Sequence, residues 1–450
     1  MNREKVSGSR KLRLFVVLFP LLIMGLLMSD AALAGQKETI ITFWSAQTAI
    51  LAVQDAIKSA AAKFGAQNPG IKANVEFISW GEIDRKYLTA VSGKLPPQTG
   101  EHGPSVAVQF AAAQYLEPVD DVINAIGKDK FNKTWLNMTY FNGHYWGVPW
   151  FYDSRPVAYR KDLFKEKGLA IPKTWDELVE VAKALTVDID GDGKIDRWGM
   201  GIRPDDRGQD WFALCLTNGG GIFKMENGKV KVAVNSKENQ EALKFYSDLF
   251  LKHKVTPPGT PSYQLKDMYQ LFTTGKIAMA TTPAELLRVI DEQAPSLKGK
   301  VGYFVQPAAK PGGQYPGMSF MGGSHFMLFK DAPNKDAAKE FIKFMLKPDI
   351  YKEFMRALMT KQPALNIVRA KDYLTDPAWQ EPVEVAIEQG GHAARSEYPM
   401  LAHPISGELD AIFGKPAQEV LSGKKTVTQA LDDMQRRVEE LWVTYEAAKR

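Results

Sequence analysis

Apolar and polar positions change period repeatedly along the chain, and each change marks an element. Thr39–Phe43 (TIITF) is short and β-branched, which predicts a strand. Ile50–Phe64 carries apolar residues at three- and four-residue spacing and predicts an amphipathic helix. Ile71–Ile78 alternates strictly and predicts a second strand. Trp80–Val91 follows as a second helix with Gly93 as its stop, and Pro104–Val108 reads as a third short strand. The order β-α-β-α-β implies a parallel sheet with helices on its faces.

The middle of the chain switches period faster. Tyr145–Trp150 is aromatic and β-branched, Asp153-Ser154-Arg155-Pro156 breaks it, and Val157–Tyr159 resumes an extended run. Lys161–Lys167 predicts a short helix stopped at Gly168. Thr174, with Glu177 three residues on, has the form of a capping box opening a helix over Trp175–Leu185. Further helices are predicted over Asp210–Leu216, Ser236–Lys252, Gln264–Thr273, Asn334–Leu346 and Thr426–Ala448. Strands are predicted over Gly275–Ala280, Val301–Phe304 and Ser324–Phe329. The chain reads as α/β, without internal repeats.

The N-terminus stands apart from this pattern. Basic residues at 3, 5, 10, 11 and 13, an apolar run over Leu14–Met28 and the small-residue step Ala32-Leu33-Ala34 have the form of a secretory signal peptide over 1–34, cleaved before Gly35. No cysteine follows that step, so a soluble periplasmic protein is expected rather than a lipid-anchored one. The formal charge is +5; the first 34 residues hold five basic and two acidic residues, so about +2 remains. That near balance gives no support for nucleic-acid binding. Cys215 is the sole cysteine, which excludes an intrachain disulfide, and its apolar setting (WFALCL) suits a small buried side chain.

The run GVPWFYDSRPVAYRKDLFKEKGLAIPKTWDEL, from Gly147 to Leu178, resembles the extracellular solute-binding proteins of ABC importers, in particular the maltose-binding-protein-like carbohydrate group. GKIAMATTP, GKVGYFVQPAAKPGG, FMGGSHFML, NKDAAKEFIKFML and VLSGKKTVTQALDDM are similar to landmarks of the same family. The resemblance implies a type II periplasmic binding protein fold, with two α/β lobes joined by a multi-strand hinge around a ligand cleft. By that analogy one lobe is 36–152 plus 276–328 and the other is 153–275 plus 329–450. It also implies a monomer that binds a small carbohydrate, meets the membrane only through ABC permease subunits, and is not an enzyme.

A sugar offers flat apolar ring faces and a rim of hydroxyls, so its site needs aromatic platforms and side chains that accept and donate. Trp44, Ser45 and Gln47 at the end of the first strand, and Trp80 opening the second helix, are candidates on one side. Trp150, Tyr152, Asp153 and Arg155 at the presumed crossing, and Trp211 in the other lobe, are candidates on the other. Each of these aromatics equally suits a core position. The bare backbone of Gly322-Gly323 lets a ligand approach closely.

Asp188, Asp190, Asp192 and Asp196 occupy positions 1, 3, 5 and 9 of an EF-hand-like loop with Gly193 at the turn, so calcium is a candidate ligand, in a structural role. Position 12 is Gly199, which offers no bidentate carboxylate; the alternative is a Gly/Asp-rich surface turn. The link over 104–116 reads as shorter than the family's, with Ser105 in place of an acidic strand-end residue and Gln109 as the nearest polar candidate.

Arg155, Arg203, Arg207 and His325 motivate a second reading, in which the ligand is an acidic sugar, a sugar phosphate or another polyol. A secreted glycan-active enzyme is the reading from another class. A hydrolase needs two carboxylates across the scissile bond, and no spacing here selects such a pair.

Overall fold

A computed structural model describes residues 38–448 apart from 49, 205–207, 228, 314–316, 394–402, 406–407 and 410–411. The expected signal peptide over 1–34 and Arg207 therefore lie outside the described residues. Two open sheets organise the chain.

The first sheet has six strands: β1 Thr39–Ser45, β2 Ile71–Phe77, β3 Thr99–His102, β4 Val148–Asp153, β9 Gly322–Leu328 and β10 Gln362–Pro363, in the order β10-β4-β9-β3-β1-β2. β1 pairs parallel with β2 and β3, whereas β9 runs antiparallel to β3 and β4. The carboxyl ends of β1, β3 and β4 thus share one edge with the start of β9. Helices α1 (Leu51–Gln67), α2 (Trp80–Ser92) and α3 (Pro104–Ala112) supply the crossovers. Helices α9 (Lys335–Met345) and α10 (Pro348–Leu358) pack on α1, burying Phe341, Ile342, Tyr351 and Phe354.

The second sheet has four strands: β5 Val157–Arg160, β6 Trp198–Gly201, β7 Ile277–Thr281 and β8 Val301–Phe304, in the order β8-β5-β7-β6. One side holds α4 (Trp175–Leu185), α5 (Gln209–Thr217), α6 (Lys237–Leu251) and α12 (Val427–Ala448). The other holds α7 (Leu265–Thr273) and α8 (Leu286–Gln293). Helix α11 (Pro377–Ala393) packs on β8, β4 and β10 and so touches both sheets. Among the described residues no helix is long and apolar enough to cross a membrane.

The two-lobed α/β architecture is as expected, but the lobe boundaries differ. β7 and β8 pair with β5, so 277–304 belongs to the second lobe rather than the first. Conversely α9 and α10 cover the first sheet, and the Tyr351 hydroxyl donates to the Trp150 carbonyl, so 335–358 belongs to the first lobe. Order along the chain shows that a strand exists; pairing decides which sheet it joins. The third strand is also corrected: it is Thr99–His102, and Pro104 opens helix α3 from the N1 position, where its fixed φ and missing N–H suit a helix. The Thr174 hydroxyl does cap α4, accepting from Glu177 N–H at 3.3 Å, while Glu177 reaches the Lys173 N–H at 2.7 Å, one residue before the N-cap.

Candidate functional site

The shared edge of the first sheet gathers polar groups around Glu101, at the end of β3. Its carboxylate is fully buried and accepts from Ser45 Oγ at 2.7 Å, from the Ala46 N–H at 2.6 Å and from Gln47 Nε2 at 3.2 Å. Burial pushes its pKa up, and the hydrogen bonds from Ser45, Ser324, Ala46 and Gln47 only partly offset that. Next to it, the Gly103 N–H donates to His102 Nδ1 at 2.8 Å, which leaves the ring proton on Nε2, 2.6 Å from Asp84 Oδ1. Trp80 stands edge-on to His102 at 5.3 Å and 82° and keeps 37% of its surface exposed. A half-exposed indole beside an acid, an imidazole and an amide is the chemistry that grips a hydroxylated ring.

The hinge floor adds the second group. Gly322 and Gly323 open β9 beside Asp153 and Tyr152. A Cβ on Gly322 would lie 2.5 Å from Asp153 Oδ1 and would force that carboxylate to shift, and on Gly323, whose φ is +129°, it would lie 2.3 Å from the Phe151 carbonyl oxygen, so only glycine fits there. Asp153 Oδ1 pairs with Arg155 Nη1 at 2.9 Å and Oδ2 with Lys361 Nζ at 2.5 Å. Burial raises the Asp153 pKa, but the two cations overcome it and hold the carboxyl well below the usual range. Arg155 Nε donates to Gln209 at the start of α5, at 2.7 Å, so one guanidinium ties the hinge to the second lobe. Buried Arg203 and Asp210 lie 3.3 Å apart nearby.

The predicted residues therefore divide. Gln47, Trp80, Asp153, Arg155, Gly322 and Gly323 come together around the crossing or at the adjoining strand ends, with Ser45 turned inward onto Glu101. Trp44 does not face the gap: its ring lies on Tyr87 at 5.3 Å and under Lys86 Nζ at 4.4 Å, in the core. Trp150 is 0% exposed between Phe43, Phe326 and Phe354, because β4 is an inner strand buried on both faces. Tyr152 packs beside Trp135 at 6.0 Å, and Trp211, 1% exposed, donates Nε1 to the Phe413 carbonyl. Gln109 sits in the second turn of α3, beyond the strand end that was expected to carry it. His325 is a core histidine: burial pushes its pKa down to about 3, and Nε2 lies 2.9 Å from the Trp135 carbonyl oxygen.

Sequence reasoning missed Glu101, His102, Asp84, Gln209 and Lys361. For the first two a signal existed: Gly103-Pro104 ends one element and opens another, which leaves Glu101 and His102 as the strand end. The acidic strand-end residue expected to be lost is thus Glu101.

In the aspartate loop, carboxylate oxygens of Asp188, Asp190 and Asp196 lie within 4.8 Å of one another. Asp188 accepts from the Gly191 and Gly193 N–H groups at 2.7 and 2.8 Å, and Asp196 from Ile189 N–H at 2.8 Å. Asp192 turns to Lys194, at 3.1 Å. Gly199 lies inside β6 against the Ala182 backbone.

Residues 51–352 match the family model of the bacterial extracellular solute-binding proteins. The chain is 28% identical over 327 residues to a putative binding protein of Brucella abortus (strain 2308), covering 72% of this chain and 75% of that protein. It is 27% identical over 287 residues to the diacetylchitobiose binding protein DasA of Streptomyces coelicolor, covering 61% and 62%. Among solved structures, an ABC transporter solute-binding protein of Agrobacterium radiobacter K84 in complex with ribitol superposes with a TM-score of 0.72 at 26% identity, covering 90% and 99%. The GacH receptor of Streptomyces glaucescens superposes with a TM-score of 0.74 at 21% identity, covering 90% and 98%.

Proposed function

Because this chain belongs to the bacterial extracellular solute-binding proteins, we propose that it captures a carbohydrate or polyol between its lobes and delivers it to the membrane permease of an ABC importer. The observation that carries the reading is the pair of polar groups at the strand ends: Trp80, His102 and Gln47 on the first lobe, and Arg155 with Gln209 at the second, joined by the bare backbone of Gly322-Gly323. A relative named for diacetylchitobiose and a solute-binding protein solved in complex with ribitol support a hydroxyl-rich solute. The signal-like N-terminus supports a periplasmic setting.

Charge favours a neutral solute over an acidic one. Arg155 and Lys361 share Asp153, Arg203 faces Asp210, and Glu101 adds a further acid, so the site holds no surplus of cations. The same contacts support binding rather than cleavage: Glu101 and Asp153 are committed to internal partners, which is not how a hydrolytic carboxylate pair is deployed.

The test is a thermal-shift screen of the protein starting at Gly35 against maltotriose, diacetylchitobiose, ribitol, glucuronate and glucose 6-phosphate. A solute that binds only the folded state raises Tm by mass action. One or more neutral members are expected to do so, and Trp80→Ala is expected to weaken that binding by about two- to tenfold, since aromatic stacking contributes about 0.5–1.5 kcal/mol. No shift with any neutral member, or full affinity in Trp80→Ala, overturns the reading.

A further inference from the structure

The two edges of the first sheet are built differently. At one edge β10 holds only Gln362 and Pro363, and helix α11 packs on it. A strand that short, carrying a proline and covered by a helix, is a protected edge. At the other edge β2 runs seven residues without a proline, and its register against β1 is unbroken from Ile71 to Phe77. No residue of β2 is buried: Ile71, Ala73, Val75 and Phe77 are half-buried, and Lys72, Asn74 and Glu76 are exposed.

The backbone of that edge has a direction. The Thr39 N–H donates to the Gly70 carbonyl at 2.8 Å, and the Ile78 N–H to the Ser45 carbonyl at 2.9 Å. Alternate residues of a parallel strand bond the same neighbour, so the even-numbered residues of β2 turn their backbone groups to β1. Those of Ala73, Val75 and Phe77 point outward, and no strand meets them among the described residues. The Ile71 N–H is taken by the Asn68 carbonyl at 3.0 Å.

The side chains along this edge are complementary to themselves. Set antiparallel to a second copy about Asn74, Ala73 faces Val75 of the copy and exchanges both backbone bonds with it, and Ile71 faces Phe77. Lys72 then faces Glu76 of the copy in a non-hydrogen-bonded pair, where side chains come closest, and the two-fold axis repeats every match. A two-residue slip either way puts Lys72 or Glu76 against Asn74 and shortens the pairing. Within the chain Glu76 meets Lys86, an exposed pair of little weight.

We propose that β2 is a dimerisation edge, on which a second copy of this chain docks antiparallel and continues the first sheet across a two-fold axis. The strand is short, so the dimer is weak and concentration-dependent. The family resemblance implies a monomer, and this edge departs from that. The pairing uses the side of the sheet, whereas Glu101, His102 and Gly322-Gly323 lie at strand ends and take no part in it.

Sedimentation velocity of the protein starting at Gly35, over about 1–300 μM, is expected to show a monomer–dimer equilibrium. Lys72→Glu sets like charges opposite each other twice per dimer and is expected to weaken it about tenfold; adding Glu76→Lys reverses both partners and should restore affinity to within about threefold of the parent. Asn74→Cys places a thiol on the axis against its own copy, so copper-catalysed air oxidation is expected to cross-link it as a dimer, while Lys72→Cys, facing Glu76, stays uncross-linked; the native Cys215 is buried. An unchanged urea midpoint marks intact folding of Lys72→Glu, and should that midpoint fall, the Asn74→Cys cross-link decides. A monomer at every concentration, a dimer indifferent to Lys72→Glu, or an Asn74→Cys protein that stays uncross-linked overturns the proposal. No solute enters the experiment, so its outcome is independent of the solute screen.

Discussion

Glu101 is out of contact with solvent, yet both its oxygens are occupied, which makes it a tie between the turn after β1 and the end of β3 rather than a free acceptor. Its pKa is raised in the folded state, with burial the largest cause, so the folded chain holds that proton more tightly than the unfolded chain. The stabilisation this brings is full below the unfolded value, about 4.3, and is lost as pH rises through the folded value. Glu101→Gln removes the titration, so its urea midpoint should fall less steeply than the parent's as pH rises above about 4.3. Parallel curves for the two proteins would sink the idea. Asp153 has the opposite sign: its pKa is depressed, so its contribution persists above the ordinary aspartate range and is lost only in stronger acid. Neither role is written in residue type. Asp153 and Arg155 stand out in sequence because they interrupt an aromatic strand, while Glu101 lies in TGEH, a segment with little strand propensity. The tryptophans show the same limit, since Trp80, Trp150 and Trp211 each sit near an element end, and only burial separates the half-exposed one from the two core anchors.

At the scale of elements, helices with caps and amphipathic faces were legible: α4, α6, α9 and α12 fall within a few residues of their expected spans. What escaped was the short strand β3 and the helix after it, because Val106 and Val108 carry strand propensity, whereas the neighbours of Pro104 and the burial of Ala107, Phe110 and Ala111 produce a helix. The aspartate loop is a second instance of local chemistry deciding an element. Its carboxylates cap their own backbone N–H groups, and half-buried Asp188 has a lowered pKa chiefly through the Gly193 N–H bond. With Asp192 paired to Lys194 and a buried glycine at position 12, the turn has the partners it needs to close without an ion. A chelator is therefore expected to leave the protein's Tm unmoved, while Asp188→Ala lowers it. A Tm that drops with chelator and returns with calcium would instead give the loop a structural metal.

For the whole molecule, the partition into lobes and the partition of the core do not coincide. Phe43, Trp150, Phe341 and Phe354 from the first lobe, and Ala158, Ile277, Ala280, Leu287 and Tyr303 from the second, belong to one continuous apolar interior. The chain crosses between lobes after β4, after β8 and again after β10, so the first sheet is built from two separate stretches, one on either side of the Val157–Phe304 stretch that supplies the whole second sheet. Multi-domain chains commonly unfold in separable steps, because each core can be lost alone. Here, losing the second sheet would expose the face of the interior that the first lobe shares, and would free the strands that close it. The apolar area involved, at about 25 cal/mol per Å² removed from water, is a coupling that a polar interdomain contact does not supply. The solute-free protein is therefore expected to show a single calorimetric transition, with calorimetric and van't Hoff enthalpies in agreement. Glu285→Gln should not split that transition, since it loosens only the partly exposed contact between Glu285 and Lys361, 3.6 Å apart, and leaves the interior intact. Two resolved transitions in the parent would mean that the lobes are energetically independent despite the shared core.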